Sequence, residues 1–121
     1  MVKLEFSPKE IRDPHKAFNN FQKKVISISK RKEKIDTKSF YAELAGIGDR
    51  FEKCSQREIM NKNSKRFAET LVNLGQGSLA GIIYSFLIKF NLNKPSLVEQ
   101  FAYNGLAIAK RFNDPVHIMA R

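Results

Sequence analysis

Few residues of this chain could carry out chemistry at neutral pH, and their spacing limits what they can do. The two histidines, His15 and His117, stand near two different expected helix starts. Neither has a His, Cys, Asp or Glu neighbour at metal-ligand spacing, so both read as surface side chains near helix caps. The single thiol, Cys54, cannot form an internal disulfide or a zinc cage alone. It is expected to be a small buried hydrophobe, at ease in a reducing compartment. The stretch GQGSLAG (75–81) places glycines ahead of a helix, as phosphate-binding loops do. It lacks both the Lys-Ser/Thr pair and a preceding strand, so it reads as a helix–helix turn. Glu43, Asp49, Glu52 and Glu69 occupy polar helix positions beside lysines and arginines and read as solubilising charges. No catalytic, cofactor-binding or metal-ligating residue follows from this pattern. The chain reads as non-enzymatic, with no cofactor.

Charge is the stronger signal. With 22 Lys and Arg against 12 Asp and Glu, the 121 residues carry a formal +10, which favours acidic partners. Lys16, Lys23, Lys30 and Lys34 recur with Asn20 and Ser27 at steps of three and four, opposite an apolar stripe. This side is the candidate surface for an acidic protein partner. Nucleic acid is the alternative, with Lys24, Arg31 and Lys32 adding to the same region. Tyr41, Tyr84 and Tyr103 are the candidate anchors, because tyrosine combines an apolar body with a polar tip.

The elements that must present these residues are helices. SPKE (Ser7 to Glu10) forms a capping box for one short turn, and Asp13-Pro14 then restarts the chain as helix one, near 14–32. Phe18, Phe21, Val25 and Ile28 make its apolar stripe. KRKEKIDTK (30–38) is too charged to be buried and leads to helix two, capped by Asp36 and running to about Cys54. Its stripe is Phe40, Leu44, Ile47, Phe51 and Cys54, with Gly46 and Gly48 hinting at a close neighbour. SQRE (Ser55 to Glu58) reads as a capping box for helix three, whose inward residues are Met60, Phe67, Leu71 and Leu74. Its NKNSKR stretch (61–66) reads as wet. Ser78 caps helix four, about 79–91, which is apolar on most sides and so central. SLVE (Ser96 to Glu99) caps helix five, with Leu97, Phe101, Ile108 and Phe112 as anchors, and Asp114-Pro115 opens a sixth helix. VKLEF (2–6) alternates like a strand and reads as an extended arm, or a strand that pairs elsewhere.

Alternate caps among Asp36, Ser55, Ser78, Ser96 and Asp114 lie 42, 41 and 36 residues apart, a period suited to stacked helix pairs. The last of these carries a resemblance. In EQFAYNGLAIAKRFNDPVHIMAR, the residues Leu106, Ala107, Ile108, Ala109, Asp114 and Ala120, with Phe101 and Tyr103 in the aromatic region, resemble a tetratricopeptide repeat. The match covers residues 95–121. Gly105 stands where alanine is usual, Val98 where a small residue is expected, and the preceding helix lacks the Leu-Gly and Tyr spacing.

The expected fold is therefore all-α, built of antiparallel helical hairpins. Either a tetratricopeptide-like solenoid fragment or a compact orthogonal bundle satisfies the pattern. Residues 1–13 would form an arm with a short turn. Residues 14–121 would form one helical domain, the N-terminal part of a longer repeat protein. The resemblance implies a protein–protein scaffold or adaptor. An open last hairpin, with Val116, Ile118 and Met119 uncovered, implies self-association there. The longest apolar run, LAGIIYSFLI (79–88), is half the roughly 20 residues needed to span a bilayer, so the expectation is a soluble cytoplasmic protein.

Overall fold

The computed structural model describes residues 1–4 and 13–112. The expected Ser7–Glu10 turn and the helix expected from Asp114, with His117, lie outside them. Five helices follow in order: α1 (Pro14–Lys30), α2 (Thr37–Lys53), α3 (Arg57–Asn73), α4 (Gly77–Phe90) and α5 (Pro95–Phe112). The fold is all-α, and the described helices pack compactly. Each helix packs on the next, and α4 also packs on α2, so α4 is covered by three helices. Its apolar residues on nearly every side follow from that central position. No described helix is long and apolar enough to cross a membrane.

The predicted stripes form the core. Phe18, Phe21, Val25 and Ile28 of α1 are buried, with Phe40, Leu44, Ile47 and Phe51 of α2 and Met60, Phe67 and Leu71 of α3. Five rings from three helices interlock: Phe21 lies 5.2 Å from Phe40 and 5.8 Å from Phe67, and Phe18 meets both Phe51 and Phe67 edge-on. Such pairs add about 0.5–1.5 kcal/mol each beyond the area they bury. Gly48 explains how α4 comes so close to α2: a Cβ there would stand 2.6 Å from Phe86 Cζ. Gly46, two residues earlier, has open space instead.

Three helices end in the same turn. After α1, Glu33 N donates to Ile28 O and Lys32 N to Ser29 O. After α2, Gln56 N donates to Phe51 O and Ser55 N to Glu52 O; after α3, Gln76 N donates to Leu71 O and Gly75 N to Val72 O. Each is a six-to-one, five-to-two pair closing on a buried apolar residue. Each also needs one residue in the left-handed region: Lys32 (φ 59°), Ser55 (φ 57°) and Gly75 (φ 77°). Only the third is the glycine that this conformation favours.

That turn corrects the capping reading at Ser55. Ser55 terminates α2, and the cap of α3 is Gln56, which makes no side-chain cap bond. Ser78 and Ser96 are likewise second residues inside α4 and α5, not caps. Asp13 and Asp36 do cap, accepting from His15 N and Ser39 N. Cys54 is exposed, not buried as expected, because α2 ends at Lys53 and the chain turns away.

The described part of the VKLEF arm, Val2 to Leu4, docks on the charged loop between α1 and α2. Val2 pairs in parallel with Ile35, through Val2 N to Lys34 O (2.7 Å) and Asp36 N to Val2 O (2.8 Å). Leu4 N then donates to Ser39 Oγ. Leu4 and Ile35 are both buried, so this charged tract contributes to the core after all.

Candidate protein-binding groove

α3 and α5 flank a groove in two lobes that share Lys65. The first lobe, about 310 Å³, is lined by Glu58, Asn61, Lys62, Lys65, Lys94, Leu97, Gln100 and Phe101. The second, about 540 Å³, runs on past Glu69, Val72, Asn73, Asn104, Ile108 and Arg111 to the edge of Tyr84. The α3 residues recur at steps of three and four, and so do those of α5, so each helix contributes one face. Leu97, Phe101, Val72 and Ile108 supply apolar surface. Lys62, Lys65, Lys94 and Arg111 supply positive charge against Glu58 and Glu69. The Asn104 amide nitrogen is buried without a hydrogen-bond partner among the described residues. Such a donor is costly to leave unmet.

The upper wall is held by a reciprocal amide pair that sequence reading missed. Asn61 Nδ2 donates to Asn91 Oδ1 (3.0 Å), and Asn91 Nδ2 donates to Asn61 Oδ1 (2.9 Å) and to Leu87 O (2.8 Å). Asn91 is wholly buried, and so is Ser64, so NKNSKR is not uniformly wet. The partners lie 30 residues apart, and no local pattern announces such a pair.

The expected surface residues fall in separate places. Lys16, Lys23, Lys30 and Lys34 are all exposed, the first three along α1 and Lys34 in the loop that holds the arm. None lines the α3–α5 groove, so these lysines do not join Lys62 and Lys65 on its walls. Tyr41 is half-buried, with Phe86 edge-on at 6.4 Å and the Lys89 ammonium 5.5 Å above its ring. Tyr84 is only 4% exposed and packs against Phe101, so it belongs to the core and offers a partner only its rim. Burial raises its pKa above 10.0, and the Glu69 charge adds to the shift. Tyr103, 72% exposed, lies on the outer side of α5, away from both other tyrosines.

A further pair of hollows lies where the α2–α3 and α4–α5 turns meet, but their central charge is already committed. Arg57 pairs with Glu52, donates to Asn93 Oδ1 at 2.8 Å and covers the Phe90 ring at 5.4 Å. His15 Nε2 lies 3.0 Å from Gln56 Oε1, and its ring meets Phe51 edge-on. The histidine thus stitches the start of α1 to the α2–α3 turn. Among the described residues, no group of three or more His, Cys, Asp or Glu could hold a metal ion. No protein-family model matches the chain, and no curated protein or solved structure does.

Proposed function

We propose that this chain is a helical protein-interaction module, of tetratricopeptide-like character, that holds an acidic segment of a partner protein in the α3–α5 groove. The observation that carries this reading is the groove's composition: four basic side chains and two acidic ones around an apolar base. Apolar contact would supply the affinity, and the charges would set partner choice and rate of approach. The exposed lysines of α1, outside the groove, would act at longer range by steering. That role needs no contact and weakens with salt.

The test uses two fluorescent probes, an acidic peptide carrying one leucine and a duplex of arbitrary sequence. The peptide is expected to bind, and Lys62→Glu with Lys94→Glu is expected to weaken it through faster release. Reversal of Lys16, Lys23, Lys30 and Lys34 to Glu is expected to slow association alone. Equal peptide binding by the groove variant would refute the reading. The exposed lysines of α1 also suit a duplex backbone. Tight duplex binding that falls by about 0.9 log units per phosphate neutralised for each tenfold rise in salt, and that is lost on reversal of these lysines, would favour the nucleic-acid function instead.

A further inference from the structure

α5 is apolar on two opposite sides. Leu97, Phe101 and Ile108 turn towards α4, its one extensive neighbour among the described helices. On the opposite side, at steps of four, three and four, stand Glu99, Tyr103, Leu106 and Lys110, all exposed. Tyr103 is 72% and Leu106 is 55% exposed, side by side at the centre of this stripe. Neither Glu99 nor Lys110 has an ion-pair partner among the described residues. Within α5, no opposite charge stands three or four places from either.

We propose that a second copy of this chain covers this face, with the two α5 helices antiparallel about a two-fold axis between Tyr103 and Leu106. The stripe is complementary to itself. An axis there sets Tyr103 against Leu106 of the copy and Glu99 against Lys110 of the copy, and the same two contacts recur across the axis. A symmetric pair of this kind uses one surface patch twice. Ala102 and Ala107 flank the stripe and leave room for helix axes at about 8–10 Å. An acidic partner would satisfy Lys110 and be repelled by Glu99, whereas a second copy satisfies both. One helix face buries less than the roughly 800 Å² per partner of a standard interface, so the association is weak and depends on concentration.

Sedimentation velocity on the full 121-residue chain, from low micromolar to millimolar, tests this. A concentration-dependent shift from monomer to dimer is expected. Leu106→Glu is expected to raise the dimer dissociation constant about tenfold or more, as loss of a central anchor does, with the helical circular dichroism unchanged. Glu99→Lys and Lys110→Glu should each weaken the dimer, and the two together should restore it. A monomer at every concentration would overturn the proposal, since the face would then be open or covered by the chain's own residues. A dimer indifferent to Leu106→Glu would overturn it too, as would a double charge swap as weak as the single variants. The groove variant Lys62→Glu with Lys94→Glu leaves this stripe intact, so the failure of either proposal is read separately from the other.

Discussion

Gly46 and Gly48 lie two residues apart in α2, yet alanine is expected to stabilise at the first and not at the second. In a helix interior, replacing glycine with alanine gains about 1 kcal/mol from reduced backbone freedom in the unfolded chain. At Gly46 nothing lies within 4 Å of the added Cβ, so the whole gain should appear as stability. At Gly48 the new methyl would stand 2.6 Å from Phe86 Cζ and 3.1 Å from Phe86 Cε1, roughly 1 Å inside ordinary contact. The ring has little freedom to yield, because Phe90 stacks on it at 5.1 Å and Tyr41 closes its edge. Overpacking of this kind costs about 1–3 kcal/mol, which offsets the propensity gain or exceeds it. The difference between the two variants removes the common propensity effect and leaves the packing cost alone, about 1–3 kcal/mol. Urea unfolding followed by circular dichroism measures both midpoints. Phe86→Ala should itself cost about 3–5 kcal/mol. In that background Gly48→Ala should turn stabilising, because the obstructing ring is gone. If Gly48→Ala were as stabilising as Gly46→Ala in the unaltered chain, the close α2–α4 approach would be wrong.

Three other outcomes are expected. Ser55→Gly should stabilise by about 1 kcal/mol in thermal unfolding, because it removes a side chain from a left-handed residue without touching the core. Asn91→Ala should cost about 1–3 kcal/mol in urea unfolding, since it leaves the Asn61 amide without its partner and leaves the Leu87 carbonyl only its backbone bond from residue 91; Asn61→Ala with it should cost less than the two single losses added. Tyr84 is held neutral in the fold with a raised pKa, so its contribution is fully present below pH 10 and is lost as pH rises through the folded value. Tyr84→Phe should therefore flatten the alkaline fall in stability, measured as midpoint against pH above about 9.

The stripes were legible because burial imposes a period that single residues cannot hide. Phe40, Leu44, Ile47 and Phe51 keep that period and are buried, and the apolar surround of α4 gave away its central place. The capping boxes at Ser55 and Ser96, and the expected cap at Ser78, misled because serine three residues before glutamate, or after a glycine or proline, also suits neighbouring positions. At Ser55 the decision came from the end of the preceding helix, whose turn needed that residue in a left-handed conformation. Cys54 continues the stripe of α2 by number but falls one residue past its last turn. The groove was the least legible feature. Lys62 and Lys94 meet across it from different elements, and Asn61 finds Asn91 only once α3 and α4 have packed. The lysines of α1 were easy to see because they repeat along one helix, which is a local property.

The docked arm bears on the order in which the fold closes. Val2 and Leu4 are bound by Lys34, Asp36 and Ser39, which lie more than thirty residues further along the chain. Until those contacts form, Leu4 is an uncovered apolar side chain. Closing the arm then draws a loop of more than thirty residues shut around α1, at an entropic cost that grows only slowly with length. The bonds from Val2 to the loop can form only after the loop has bent, so this contact is expected to settle late.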